Sequence, residues 1–346
     1  MFNKIEIERF RGIKHASIEG FKQINLFFGK NNCGKSTLLE SLFLSAGLSN
    51  PILFKEVDFI RDYYKSFRFD DFMLNFYNLD SNQPIHIKVG DDEIRDLKIS
   101  IFEKNKTIIP SIENEIVDKL STVADMDYEV KFDFIANRES FNTKLQFDSA
   151  QPDKLTWERA NTYEESLKCV YLPPKFSFQT SIQGLKNIFQ NKDEDFILEG
   201  LRFIEQRVKD FIFTEEGIFV DIGLEKRIPI NMMGDGVRKI VALLTVIYDC
   251  KDGIVLIDEI SNGFHYSVMS NLWNVIIKAA IKNNTQLFIS THDYDSIKKL
   301  RDVAFGIYDK DVATFKLLRT SDDELKALHY SLESVDYSIN QEIEIR

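Results

Sequence analysis

Residues 24–46 decide the fold, and they read Ile-Asn-Leu-Phe-Phe-Gly-Lys-Asn-Asn-Cys-Gly-Lys-Ser-Thr-Leu-Leu-Glu-Ser-Leu-Phe-Leu-Ser-Ala. The apolar beginning predicts a buried strand, and the leucine-rich end predicts a helix that Gly47 can end. The loop between them fills every fixed position of the pattern G-x-x-x-x-G-K-[ST] with Gly29, Gly34, Lys35 and Ser36. A strand, a glycine-bounded loop and a helix in this order indicate a phosphate-binding loop.

This loop has the chemistry to hold a nucleoside triphosphate. Its backbone N–H groups can surround a phosphate, Lys35 can reach the terminal phosphate oxygens, and Ser36 can bind Mg²⁺. The dipole of the following helix also favours an anion at its N-terminus. We therefore expect ATP and Mg²⁺ as cofactors, and the predicted ATP-binding residues are Gly29, Lys30, Asn31, Asn32, Cys33, Gly34, Lys35, Ser36 and Thr37.

Composition indicates a soluble globular protein. The chain has 346 residues, 44% of them hydrophobic, and no apolar run approaches the length that spans a bilayer. Charged residues near the N-terminus argue against a signal peptide, so we expect a cytoplasmic protein with no membrane partner. Three widely separated cysteines predict reduced thiols. A net charge of −11 argues against a surface built as a whole to bind nucleic acid.

The patterns divide the chain into four segments. Residues 1–68 predict a hairpin followed by the phosphate loop and its helix. Residues 69–170 contain short alternating runs, which predict an inserted and mainly antiparallel β subdomain. Residues 171–229 predict a helical lobe, because apolar residues recur at helical spacing over 193–213. Residues 230–346 return to alternating helices and apolar strands.

Two acids end an apolar strand within residues 253–263. Because continuous burial stops at Asp258 and Glu259, both acids should lie at the carboxyl edge of a parallel sheet, where α/β proteins bind ligands. We expect Asp258 to bind the metal and Glu259 to act on water. The next apolar strand, 286–292, ends in His292 at the same edge, which favours a functional role for this histidine.

A second glycine-flanked turn precedes a helix at residues 230–239. Gly234 and Gly236 flank Asp235, which is a good N-cap residue, and the free N–H groups at such a turn form a second potential anion site. Further along, Val303–Tyr308 and Ala313–Leu318 predict strands, and a polar helical tail follows.

The order of these motifs resembles the ABC-type ATPase heads of the RecF, SMC and OLD group, and most of all the bacterial AAA-family ATPases of the OLD type. The matching stretches extend over most of the chain, and they are Phe10-Arg11-Gly12-Ile13-Lys14, Gly29–Thr37, Ser49-Asn50-Pro51, Phe76–Asp80, Met233–Gly236, Ile257–Ile260 with Asn262-Gly263, and Ser290-Thr291-His292. The resemblance implies an α/β P-loop NTPase fold with a mixed sheet like that of an ABC ATPase head, an inserted antiparallel β subdomain and a helical lobe.

The resemblance also implies a role for each motif in an ATPase that dimerises head to head around Mg-ATP. The signature motif would be Gly234, Asp235 and Gly236, which would contact the γ-phosphate bound by a second subunit. Glu259 would polarise the attacking water, with Lys35 and His292 as the other catalytic residues and His292 as the switch that senses the γ-phosphate. The metal ligands would be Ser36 and Asp258, and the D-loop would be Ser261, Asn262 and Gly263.

The chain departs from the family pattern in four features. The signature reads Met-Gly-Asp-Gly in place of a Ser-Gly-Gly core, and Ser261 stands where many relatives have glutamate. No glutamine is assigned to the Q-loop, and Gln179 and Gln183 are candidates for it. The chain ends soon after His292, with no room for the Toprim nuclease domain of full OLD proteins, so a nuclease or toxin effector would be a separate chain.

Three functions stay open at this point. The favoured one is an ATP-hydrolysing homodimer, or higher assembly, that drives or gates a separately encoded effector in phage defence. The second is a RecF-like repair ATPase that binds DNA, which Arg11, Lys14 and the basic and aromatic segment 61–68 keep open. The third is a nucleotide-gated scaffold with negligible turnover.

Overall fold

The computed structural model describes residues 1–61, 69–91, 93–104, 127–147, 155–158, 160, 162–175 and 182–341. The strands in this part of the chain are β1 (Lys4–Phe10), β2 (Ile13–Glu19), β3 (Ile24–Phe28), β4 (Ile85–Val89), β5 (Arg95–Lys104), β6 (Asp127–Ala136), β7 (Glu139–Phe147), β8 (Leu155–Glu158), β9 (Cys169–Leu172), β10 (Asp210–Thr214), β11 (Gly217–Asp221), β12 (Ile228–Pro229), β13 (Ile254–Ile257), β14 (Gln286–Thr291), β15 (Val312–Arg319) and β16 (Glu324–Tyr330). The α-helices are α1 (Lys35–Ala46), α2 (Leu53–Phe59), α3 (Phe69–Met73), α4 (Ile182–Asn191), α5 (Glu194–Ile204), α6 (Asp235–Asp249), α7 (Met269–Lys282), α8 (Tyr294–Ala304) and α9 (Leu332–Asn340).

Five parallel strands form the part of the large sheet that carries the predicted motifs. They lie in the order β9, β13, β14, β3 and β15. β3, β13 and β14 are buried along their full length, as their continuous apolar sequences predict. Because parallel strands share one direction, the residues that follow β3, β13 and β14 meet at a single edge of the sheet. The phosphate loop, the acid pair and His292 are those residues.

The remainder of the large sheet is mainly antiparallel. β15 pairs with β16, β16 runs parallel to β2, and the strands β2, β1, β4, β5, β6, β7 and β8 continue in antiparallel order. β4 pairs with β1, with Val89 opposite Ile5, so the strands from residues 69–170 extend the core sheet by continuous hydrogen bonding. β9, which also begins in that segment at Cys169, lies beside β13 in the parallel part.

Helices cover both faces of the parallel strands. Side chains alternate along β3, so Ile24, Leu26 and Phe28 pack into the core that contains α4 to α9, whereas Phe27 packs into the core that contains α1 and α2. α1 is buried from Thr37 to Ala46, which makes it a core helix rather than a helix with one apolar stripe. Its C-cap is Gly47, as predicted.

The helical prediction over 193–213 is wrong beyond Ile204, where α5 ends. Residues 210–214 form β10, which pairs with β11 in a hairpin that closes between Thr214 and Gly217. Gly217 has φ +125, a conformation that glycine tolerates. Residues 211–214, Phe-Ile-Phe-Thr, are aromatic or β-branched, and such residues favour strands. This strand propensity outweighs the helical spacing of the apolar residues in this stretch.

Two predictions near the C-terminus also differ from the structure. The strand predicted at Val303–Tyr308 is wrong, because α8 continues to Ala304 and a turn with Gly306 at φ +77 follows it. The strand predicted at Ala313–Leu318 is confirmed as β15. The tail contains α9, but β16 precedes it and pairs with β15, which the sequence analysis missed. Within the described residues, no helix combines the length and the apolar character needed to cross a membrane.

Candidate functional site

The phosphate loop requires its two glycines. Gly29 has φ +151, and a Cβ atom on it would lie 2.6 Å from the carbonyl oxygen of Leu317. Gly34 has φ +108 and is the N-cap of α1. A side chain at either position would strain the backbone, and at Gly29 it would also collide with β15. The strand, loop and helix predicted from the sequence are therefore confirmed.

Lys35 lies inside the loop that it helps to form. Its Nζ donates hydrogen bonds to the carbonyl oxygens of Gly29, at 3.1 Å, and Lys30, at 3.2 Å. The same nitrogen is 3.8 Å from Oε1 of Glu259, and only 6% of the Lys35 side chain is exposed. A buried ammonium held among loop carbonyls and one carboxylate is well placed to attract phosphate oxygens.

Asp258 follows β13 and is 5% exposed. Its Oδ1 accepts a hydrogen bond from the hydroxyl of Ser290 at 2.5 Å, and its Oδ2 accepts one from the hydroxyl of Tyr171 at 3.1 Å. Burial, together with the nearby carboxylates of Asp258 and Glu40, raises the pKa of Tyr171 well above its ordinary value. Tyr171 is therefore a hydrogen-bond donor to Asp258, and the sequence analysis assigned no role to Tyr171 or Ser290.

Glu259 lies between Lys35 and His292. Its Oε2 accepts hydrogen bonds from the backbone N–H of His292 at 3.1 Å and from Nδ1 of the same residue at 2.7 Å. Its own backbone N–H donates to the hydroxyl of Ser290 at 2.9 Å. Glu259 has φ +55, a left-handed conformation that is uncommon for glutamate and is frequent at functional sites. The three residues predicted to be catalytic therefore meet at one point.

The predicted D-loop, Ser261-Asn262-Gly263, is tied to its surroundings at each position. Ser261 Oγ lies 3.2 Å from Oγ1 of Thr291, which precedes the histidine, and the amide of Asn262 donates to the carbonyl oxygen of Pro174 at 3.1 Å. The carbonyl oxygen of Asn262 accepts a hydrogen bond from Nζ of Lys239 at 2.7 Å. Gly263 has φ +79, and a Cβ there would lie 2.3 Å from that nitrogen. Lys239 therefore connects this loop to α6.

The glycine-flanked aspartate lies at the start of α6. Gly234 is the N-cap and Asp235 is the first helical residue, so the prediction of Asp235 as N-cap is wrong. The Asp235 carboxylate forms an ion pair with Arg238, one turn along the helix, and is 70% exposed. Gly234 has no side chain that could cap this helix. Among the described residues, the N–H groups of Asp235 and Gly236 make no hydrogen bond and can receive an anion, whereas that of Val237 donates to the carbonyl oxygen of Gly234 at 3.0 Å. Among the described residues, no hydrogen bond joins positions 234–236 to the phosphate loop of the same chain.

An ion network centred on the buried Glu40 lies behind the phosphate loop. Glu40 of α1 is fully buried and accepts hydrogen bonds from Arg11 at 2.8 Å and from Arg61 at 2.6 and 2.9 Å. Arg11 also pairs with Asp58 at 2.9 Å, and Arg61 donates to Oγ1 of Thr37 at 3.1 Å. The guanidinium of Arg11, which the sequence analysis kept as a candidate for contact with nucleic acid, is therefore used inside the protein. Residues 62–68 of the same candidate segment lie outside the described residues.

A cavity of about 420 Å³ opens beside this network and is lined by Arg11, Gly12, Asp58, Arg61, Leu74, Phe76, Asn78 and Leu79. Because Arg61 both lines the cavity and contacts Thr37, the cavity adjoins the phosphate loop. Cys33 of the loop is buried, and burial raises the pKa of its thiol, which disfavours the reactive thiolate. Of the two Q-loop candidates, Gln179 lies outside the described residues, and the side chain of Gln183 is likewise not described.

Comparisons with known proteins agree with this geometry. The family described as AAA domain, putative AbiEii toxin, Type IV TA system matches residues 24–297. The ATP/GTP phosphatase of Helicobacter pylori is 25% identical over an alignment of 376 positions, gaps included, which covers 99% of each chain. A stretch of 48 residues is 50% identical to the uncharacterized protein MJECL10 of Methanocaldococcus jannaschii and covers 13% of this chain and 22% of that protein.

The fold resembles that of a solved SMC head bound to the C-terminal winged-helix domain of ScpA. The TM-score is 0.52 at 13% identity, and the alignment covers 97% of this chain and 99% of that one. The family match extends over most of the chain, from the strand before the phosphate loop to beyond His292. The chain therefore belongs to this AAA-domain family, and it is a P-loop ATPase whose fold resembles that of the SMC head.

Proposed function

We propose that this protein hydrolyses ATP at a site completed by two copies of the chain, and that the cycle gates a separately encoded effector. One observation carries the hydrolytic part of the proposal. The Glu259 carboxylate lies 3.8 Å from the ammonium of the loop lysine, and its other oxygen is held by Nδ1 of His292 at 2.7 Å. A carboxylate fixed beside the phosphate site is placed to orient a water molecule for attack on the terminal phosphate.

The phosphate chain would lie against the loop N–H groups and Lys35. Within the described residues there is no cluster of three or more metal-binding side chains, so this part of the chain supplies no metal cage built from side chains alone. This fits Mg²⁺, which proteins commonly bind through one or two carboxylates together with substrate phosphates. Ser36 and Asp258 would hold the ion, which would neutralise charge on the phosphates.

Glu259 and His292 would act as a pair. Nδ1–H of His292 donates to Oε2, which fixes the carboxylate, and Nε2 of the same ring remains for the γ-phosphate or for water. Phosphoryl transfer depends mainly on positioning and on charge stabilisation, so a fixed carboxylate and an additional donor supply what the lysine and the metal do not. A scaffold with negligible turnover would have no need of this arrangement.

A second copy would supply the remaining donors. The turn at Gly234, Asp235 and Gly236 lies at the start of α6, where the N-cap residue has no side chain. Within the described residues, it makes no hydrogen bond to the phosphate loop of its own chain. An uncapped helix start is suited to a phosphate. We propose that it contacts the γ-phosphate on a partner copy, with Ser261, Asn262 and Gly263 as the D-loop at the same interface, in a homodimer or a higher assembly.

The biological role that we favour is antiviral defence, in which ATP turnover gates a nuclease or toxin made as a separate chain. The family description names a putative AbiEii toxin of a type IV toxin–antitoxin system, which is consistent with this role. A RecF-like repair ATPase is the second candidate. It is weakened because Arg11, one of the cations that kept it open, is buried in ion pairs with Glu40 and Asp58.

The test is ATP turnover and nucleotide binding by the wild type, Lys35→Ala and Glu259→Gln. We expect Lys35→Ala to lose binding, whereas Glu259→Gln should bind Mg-ATP normally and hydrolyse it about 10²- to 10⁴-fold more slowly, as for removal of a catalytic base. Glu333→Gln on α9 is the control and should match the wild type. Normal turnover by Glu259→Gln would refute the assignment. GTP is tested in parallel, because the relative from Helicobacter pylori is named an ATP/GTP phosphatase.

A further inference from the structure

Tyr171 lies on β9, directly beside the strand that carries the acid pair. The strand register places Tyr171 opposite Leu256, two residues before Asp258. Because side chains alternate along a strand, Tyr171 and Asp258 point to the same face of the sheet. This is the face on which α1 packs, since Tyr171 and Leu256 share a core with Phe43.

The hydroxyl of Tyr171 supplies one of two donors that hold the Asp258 carboxylate. Tyr171 donates to Oδ2 at 3.1 Å, and Ser290 donates to Oδ1 at 2.5 Å. Each carboxylate oxygen therefore has its own hydroxyl partner, on a strand on either side of β13. Two donors on separate strands prevent the carboxylate from rotating about its Cβ–Cγ bond, and each oxygen keeps a lone pair for a hydrated cation.

The tyrosine ring is fixed independently of Asp258. Tyr171 is 9% exposed and packs edge-on against Phe43 of α1, with ring centroids 5.8 Å apart. Glu40 is the other carboxylate near the hydroxyl, but it already accepts hydrogen bonds from Arg11 and Arg61. The hydroxyl is therefore directed at Asp258, and Asp258 depends on it for the position of Oδ2.

We propose that Tyr171 is a positioning residue for the metal, because its hydroxyl holds Asp258 in the orientation in which this carboxylate receives hydrated Mg²⁺. It sets the affinity of the nucleotide-bound protein for the metal and acts only through Asp258. The inference rests on the proposed function in one respect, namely the assignment of Asp258 to the metal.

The test compares Tyr171→Phe with Tyr163→Phe. Tyr163 is a matched control, since its hydroxyl also donates to a carboxylate, that of Glu165 at 3.3 Å. Its other hydrogen-bond partner among the described residues is Arg95, not a residue of the phosphate loop. Mn²⁺ binding to the complex of full-length protein with ADP is measured by electron paramagnetic resonance. Nucleotide affinity without metal is measured separately in EDTA. Asp258→Asn serves as the reference for loss of the metal carboxylate.

We expect Tyr171→Phe to weaken Mn²⁺ binding about tenfold, as for loss of a hydrogen bond to a charged group, with unchanged nucleotide affinity in EDTA. Excess Mg²⁺ should restore its ATP turnover, which a merely structural defect would not allow. If Tyr171→Phe binds Mn²⁺ with wild-type affinity and Asp258→Asn binds it weakly, the role of Tyr171 is overturned and the assignment of Asp258 to the metal stands. Wild-type affinity in Asp258→Asn would also overturn the metal assignment within the proposed function. An equal loss of affinity in Tyr163→Phe would overturn the specificity of the effect.

Discussion

Replacement of His292 by alanine should slow ATP hydrolysis more than it weakens ATP binding. The imidazole Nδ1 lies 2.7 Å from Glu259 Oε2, so the variant loses a hydrogen bond to a charged carboxylate. Such a bond contributes about 1.5–3 kcal/mol, which corresponds to roughly a ten- to hundredfold change in rate. The backbone N–H of residue 292 still donates to the same oxygen, so Glu259 should keep part of its orientation.

The assay is steady-state phosphate release, analysed so that kcat and KM are obtained separately. His292→Ala should lower kcat by that factor, because its contact with Glu259 orients a catalytic group. Loss of the proposed contact between Nε2 and the γ-phosphate should raise KM by a smaller factor. His292→Asn should recover part of the loss, since its amide can donate from a similar position. His15→Ala, an exposed histidine on β2, is the control. The reasoning is wrong if His292→Ala changes only KM, or if neither constant changes.

Three further predictions concern the framework of the site. Glu40→Gln should lower the free energy of unfolding by about 3 kcal/mol, because it leaves two guanidinium groups without their buried carboxylate. Urea unfolding would test this, with Glu324→Gln at a partly exposed ion pair as the control. The hydrogen bond to Asp96 raises the pKa of His86 in the folded protein above its ordinary value of 6.5. The contribution of this bond to stability is therefore complete below pH 6.5, and it is lost as the pH rises through the folded-state pKa. His86→Gln should abolish this part of the pH dependence of the free energy of unfolding. An equal loss of that free energy with rising pH in the wild type and in His86→Gln would contradict the prediction. Gly29→Ala should abolish ATP binding while the protein stays folded, because its Cβ would lie 2.6 Å from a backbone oxygen, and normal binding by fluorescence titration would refute this.

The nucleotide site follows from the sequence to a large extent because its signals are local. The loop at Gly29 to Ser36 depends on backbone angles and chain order, and the positions of Asp258, Glu259 and His292 depend on where apolar strands end. Parallel strands that end at one edge bring these residues together without any further information. Their convergence around Lys35 was therefore predictable, whereas the distances between them were not.

The parts that sequence reasoning missed depend on long-range pairing. Tyr171 is identified as a partner of Asp258 only once β9 is known to lie beside β13. Arg11 follows a strand and looks available in the sequence, but α1 and α2 bring Glu40 and Asp58 against it, so its charge is used inside the protein. The helix predicted to extend beyond Ile204 was wrong because the pairing of β10 with β11 satisfies the backbone as a strand.

A subunit-mixing experiment tests the shared site most directly. Lys35→Ala removes the phosphate lysine, and Asp235→Ala alters the turn at the start of α6 that is proposed to contact the nucleotide on the partner. Each variant alone should hydrolyse ATP slowly, but a mixture contains dimers in which an intact Lys35 on one copy faces an intact Asp235 on the other. The account predicts that mixing restores turnover well above the sum of the two separate proteins. Turnover no greater than that sum, together with full activity of Asp235→Ala alone, would contradict it.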